Sequence, residues 1–292
     1  MKKILSIVIA FFAFMTINIS YAGTTTTTTT TTVDVSSIQK RLNNIAYVLV
    51  KNNGLPSGIS IKVIDNKEAN AYSTINKEIY VYTGLLQYAT TDEELAAVIA
   101  HEMGHIINGH CAKQTIVNSV ISSVLGSVTA DTTAKAVGVA ATEQLSESKM
   151  SRKDEFEADL TAVDLLVAAK YNPLSLISVL NKITGNYIDL VSSHPSGEKR
   201  LMNAYDYMAY NYPSAIKNGY STESYNNAMK IINLNLEERK LSTRLTKKYQ
   251  KTQEKLKKEK IKRAKKMLKS SNGWDNSFMV LQMLSSDNTS SK

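Results

Sequence analysis

His101-Glu102-Met103-Gly104-His105 fits the pattern H-E-x-x-H. On a helix, imidazoles four positions apart share one face a turn apart, where they can hold one metal ion, so the pattern reads as helical. The flanking residues agree. Thr91-Asp92-Glu93-Glu94 supplies a Thr or Asp for the N-cap and first-turn carboxylates, and Leu95, Ala96, Val98 and Ile99 continue the helix to about Gly109. Two imidazoles on one face can hold one metal ion. Zinc suits two neutral imidazoles and a carboxylate, with a fourth position for water. The pattern assigns Glu102 as general base toward that water. The competing reading is two histidines on a solvated face, and the apolar residues on both sides of the motif argue against it.

A third ligand has to come from elsewhere. The metzincin arrangement needs Gly and His three and six residues past the second motif histidine, and Asn108 and Cys111 stand there instead. Ser151-Arg152-Lys153-Asp154-Glu155-Phe156-Glu157-Ala158-Asp159 offers carboxylates. Glu155 and Asp159 share a helix face, which suits a ligand beside a carboxylate that orients a ligand histidine. Glu157 points elsewhere on the helix. Taken alone, the cluster also reads as an ordinary acidic helix start.

One Cys, Cys111, in 292 residues excludes an intramolecular disulfide framework and any zinc site of several thiolates. The formal charge of +9 is local, because residues 239–269 hold 15 Lys and Arg against Glu254 and Glu259. Lys2 and Lys3, the apolar run Ile4 to Ile17, and small Ser20 and Ala22 have the order of a secretory signal over 1–22. A retained anchor is the alternative, but the apolar run is short for ~30 Å of hydrocarbon. The expected location is therefore the periplasm. Thr24 to Thr32 makes 23–34 a flexible linker. A globular body over 35–238, a projecting basic helix over 239–269 and a poorly ordered tail over 270–292 follow.

Within the body, helical spacing runs from Val35 to about Asn53-Gly54. Ile59 to Val63, Ala71 to Thr74 and Ile79 to Val81 read as strands of a small antiparallel sheet. Tyr80 to Thr83 is the expected edge for an extended substrate. One or two buried helices are expected in 114–148, and further helices at 152–170, 174–185 and 197–209. The fold class is α+β, mainly helical. The basic segment reads as a solvated helix or a face for anionic lipid. Nucleic acid is disfavoured, since aromatic interleaving is almost absent and the signal directs export.

Asn70-Ala71 with Ile79 to Leu85, Glu93 to His110, Ser151 to Asp159, and His194-Pro195 with Glu198 and Arg200 together resemble a known family. It is the zinc metallopeptidases that include HtpX and the type I CAAX prenyl proteases, nearest to the soluble periplasmic BepA-like members. The resemblance implies a zincin-like (gluzincin) domain with ligands His101, His105 and Glu155, catalytic Glu102, and Asp159 orienting a ligand. It also brings the His194 loop near the metal, where His194 stabilises the oxyanion or fills the open zinc position; capping a helix is the plain alternative. Arg200 fits pairing with an acidic neighbour ahead of the substrate terminus, His110 a helix-end charge ahead of a ligand, and Cys111 a buried small residue. No transmembrane helix is expected after the signal, so prenylated substrates are not. The expected activity is endopeptidase action on unfolded or misassembled envelope proteins. The rival is a non-catalytic envelope assembly factor using the same zinc-stabilised fold.

Overall fold

The computed structural model describes residues 34–114, 150–185 and 197–269. The expectations placed on 1–33, 115–149, 186–196 and 270–292, His194 among them, lie outside the described residues.

The described residues open with α1 (Val35–Asn53), capped by the Asp34 carboxylate, which accepts the Ser37 N–H at 3.1 Å. Leu42, Ile45, Ala46 and Leu49 form its buried stripe. Next come β1 (Ser60–Ile64), β2 (Ala71–Ser73) and β3 (Glu78–Tyr82), then a 3₁₀ turn (Thr83–Gln87). The further helices among the described residues are α2 (Asp92–Ile107), α3 (Arg152–Ala168), α4 (Leu174–Gly185), α5 (Glu198–Asn211), α6 (Glu223–Leu241) and α7 (Thr243–Leu268). The α+β class holds.

The sheet corrects one expectation. Its order is β1-β3-β2, with β2 antiparallel to β3 and β1 parallel to it, Ile61 opposite Ile79 and Val63 opposite Val81. Apolar alternation reports which face is buried and is the same for either strand direction, so it could not reveal a mixed sheet. The order has a functional consequence. β3 is hydrogen-bonded on both sides, so Tyr80 to Tyr82 is not an edge that an extended substrate can join.

Helix α2 is the centre of the body. From Leu95 to His105 every residue is buried, as expected for a helix with neighbours on all sides. Of the two candidate caps it is Thr91 that serves, accepting the Glu94 N–H at 3.1 Å. The buried Glu94 carboxylate then ties this end to α4, accepting from Ser178 Oγ at 2.8 Å and pairing with Lys182 Nζ at 2.7 Å. Helix α3 packs most extensively on α2, and Gly104 explains how closely. A Cβ there would lie 2.7 Å from the Ala158 carbonyl oxygen, so the two backbones touch where the motif faces α3.

The basic segment also departs from expectation. Arg239 belongs to the last turn of α6, and after a break at Ser242 the chain folds back as α7 onto α6 and α5. α7 does not project from the body. Gln253, Lys260 and Ala264 are buried, and Leu256 packs on the core. Lys260 Nζ lies 3.4 Å from Asp164 Oδ1 of α3 and 3.1 Å from Tyr212 Oη, close to the Tyr207 and Tyr212 rings. A buried ammonium is tolerated there because a carboxylate, a phenol oxygen and two π faces replace its water. Among the described residues, no helix is long and apolar enough to cross a membrane.

Candidate metal centre

His101 and His105 point their Nε2 atoms to one place, 3.1 Å apart. From α3, Glu155 brings Oε2 to 3.4 Å from His101 Nε2 and Oε1 to 3.5 Å from His105 Nε2. All three side chains are buried, with Glu155 and His105 fully so. Ligands about 2.0–2.1 Å from a tetrahedral ion stand roughly 3.3–3.4 Å from one another. The observed triangle has that size, so the residues present fit a zinc-sized cation. The chemistry fits too: acceptor nitrogens this close repel unless a proton or a cation lies between them.

The surroundings hold the triangle in shape. His101 Nδ1 lies 3.0 Å from Asp159 Oδ1, so the ring's other nitrogen is oriented by a carboxylate. Arg200 of α5 grips that carboxylate with Nε at 2.7 Å and Nη2 at 2.6 Å, and its Nη1 is 2.8 Å from Glu155 Oε2. Burial alone would push the Asp159 carboxyl up, but the Arg200 guanidinium and His101 outweigh it and hold it below its ordinary range. Burial pulls His101 down, while Asp159 and Glu155 more than offset that and raise it to about 9. Arg200 itself is held charged: Asp159, Glu155 and Glu102 overcome its burial. One fork thus sustains two buried anions.

Glu102 follows His101 directly and is 2% exposed. Its charge acts on Arg200 and on the Cys111 thiol, which places it within the same buried cluster. Cys111 is the buried small residue expected of it. Burial above all pushes its thiol up to about 11, so it is no nucleophile at neutral pH.

His110 has a part that its position in the sequence did not suggest. Gly109, at φ 71°, separates α2 from the helical turn over 110–114 and swings His110 back beneath the motif. Its Nδ1 lies 3.0 Å from His105 Nδ1. For His105 Nε2 to offer its lone pair to a metal, the His105 proton must be on Nδ1, donated to His110. His110 then accepts at Nδ1 and carries its own proton on Nε2, which faces Glu157 Oε2 at 3.4 Å and Asp154 Oδ1 at 3.7 Å. A single set of proton positions satisfies the row from acidic α3 residues through two imidazoles to the centre. A five-residue spacing across a helix break carries no periodic signal that could have revealed it.

A model of peptidase family M48 matches residues 36–207, well over half the chain. The chain belongs to peptidase family M48. Metalloprotease LoiP of Escherichia coli K12 is 32% identical over 184 residues, spanning 60% of this chain and 72% of that protein. Mitochondrial metalloendopeptidase OMA1 of Arabidopsis thaliana is 34% identical over 149 residues, 49% of this chain but 30% of its own length. The beta-barrel assembly-enhancing protease of E. coli K12 is 22% identical over 181 residues, 56% of this chain and 37% of its own. The chain therefore spans only about a third of the latter two relatives. The resemblance drawn from the motifs holds, and M48 membership makes the chain a metal-dependent endopeptidase. His101, His105 and Glu155 are the group, among the described residues, that could hold the metal of an M48 enzyme.

Proposed function

We propose that this chain is a zinc-dependent endopeptidase of the periplasm that cleaves unfolded or misassembled envelope proteins. The convergence of His101 Nε2, His105 Nε2 and a Glu155 oxygen at tetrahedral-edge separations carries the zinc reading. A zinc ion in that triangle would polarise a peptide carbonyl and lower the pKa of a water toward neutrality. Glu102 takes one proton of the attacking water and returns it to the leaving nitrogen as the C–N bond breaks. The second water proton then passes from the new carboxyl group to the amine, giving a carboxylate and an ammonium. Asp159 transfers no proton; it keeps the His101 ring in its ligating orientation, with Arg200 holding Asp159 in place.

Burial supports the substrate class. With His101 at 7% exposure and Glu102 at 2%, a scissile bond reaches them only within a segment free to leave its own fold. The order of residues in 1–22 supports export, and one relative is named a beta-barrel assembly-enhancing protease. The purified chain is expected to cleave casein, to stop with 1,10-phenanthroline, and to regain activity on return of stoichiometric zinc. A disulfide-locked folded protein should remain intact. Chelator-resistant cleavage, or no cleavage by the zinc-loaded chain, contradicts the proposal.

A further inference from the structure

Helix α7 sorts its residues into two opposed faces. Gln253, Lys260 and Ala264 are buried against the body, along one line of the helix. On the far side, Arg244, Lys247, Lys248 and Lys251 are exposed, and Lys255, Lys258, Lys262 and Lys265 continue the same line. At about 100° per residue, all eight fall within an arc of roughly 100° centred nearly opposite the buried line. Glu254 and Glu259, the two carboxylates of the helix, fall outside that arc at its two borders. The cations thus form one stripe about 30 Å long.

Such a stripe works against the isolated helix, because like charges three and four residues apart repel. The buried side, anchored by Lys260 on Asp164, holds α7 in place despite it. What relieves the repulsion is an extended negative surface that meets every cation at once. The geometry points to α7 as a docking face for an anionic lipid bilayer, with headgroup phosphates facing Arg244 to Lys265. A plane suits a straight stripe on a docked helix. Seven of the eight cations are Lys, compact hydrated charges suited to fluid headgroups rather than to fixed bidentate recognition. Nucleic acid fits less well, since the stripe contains no aromatic side chain on which a base could stack. The inference is independent of hydrolysis, and its failure would leave the peptidase reading intact.

The test compares the exported, purified chain with a variant carrying Lys251→Gln, Lys255→Gln, Lys258→Gln and Lys262→Gln. All four residues are exposed and remote from the metal centre in sequence and element, so casein cleavage and circular dichroism should match the parent. Flotation is measured with phosphatidylcholine vesicles, with and without phosphatidylglycerol at about one third, in low salt and in 0.5 M NaCl. The parent is expected to float with anionic vesicles alone and to be released by salt. Each cation lost should weaken partitioning roughly fivefold, so the variant should bind at least a hundredfold more weakly. Equal flotation of variant and parent, or equal binding to pure phosphatidylcholine, would overturn the inference. So would lysine-dependent binding of a single-stranded oligonucleotide at 0.15 M NaCl without binding to anionic vesicles.

Discussion

Glu102→Gln is expected to lower kcat for a fluorogenic peptide on the order of 10³-fold while leaving zinc binding unchanged. The substitution keeps size and shape on a helix whose every neighbour is packed, so α2 should not move. It removes the only property the assigned role requires, the capacity to take a proton. Glu102 is outside the His101, His105 and Glu155 group, so the metal content of the variant should equal that of the parent. Stopped peptide assays on the zinc-loaded variant measure the loss directly. Retention of more than about a tenth of the parental kcat would show that some other group handles the proton.

Arg200→Met should produce the largest change in stability. The guanidinium is the cation held by Asp159 and Glu155, which are 1% and 0% exposed, and methionine fills similar space without charge. Removing one partner of a buried ion pair costs about 3–5 kcal/mol, because the remaining charges keep their desolvation penalty. Urea unfolding of the metal-free chains should show a deficit of that size near neutral pH. The sign of its pH dependence follows from Asp159. Its folded pKa is depressed, so the native contribution is present above the unfolded value of about 3.9 and is lost as pH falls through the folded one. In the variant, burial acts unopposed by the guanidinium and favours the protonated carboxyl. The deficit should therefore shrink as pH falls from about 7.5 toward 4.5. A deficit below about 1 kcal/mol, or one that grows on acidification, would contradict the clamp.

The parts of the site legible in the sequence are those set by local spacing. His101 with His105, and Glu155 with Asp159, are i,i+4 pairs, and a helix places such pairs on one face whatever surrounds it. The capping signature at Thr91-Asp92 was visible on the same ground, since a cap acts within three residues of itself; the Ser151 cap, equally local, was not read. Arg200 was harder to read. It meets Asp159 across 41 positions, and nothing local distinguishes a clamp from a surface guanidinium. His110 was hidden by the turn at Gly109, which redirects a side chain that continued helical geometry would have sent elsewhere.

The fold shows the same division. Strand positions followed from alternation, whereas strand direction and order did not, and with them went the expected substrate edge at Tyr80 to Thr83. Helix α6 escaped notice because its buried positions, Tyr225, Ala228 and Ile232, are spread through a polar stretch. In α7, Lys260 looked like one more cation in a run of them. Only the placement of Asp164, Tyr207 and Tyr212 identifies it as the one that faces inward, among the described residues of that helix.

Zinc content and zinc K-edge absorption of the purified chain, set beside Glu155→Ala, test the central claim most directly. The account predicts one zinc per chain, with two imidazole nitrogens at about 2.0–2.1 Å and a carboxylate oxygen at about 2.0–2.2 Å, and at least tenfold weaker binding in the variant. Zinc bound with equal affinity after loss of the Glu155 carboxylate, or a coordination sphere lacking two imidazoles, would contradict it.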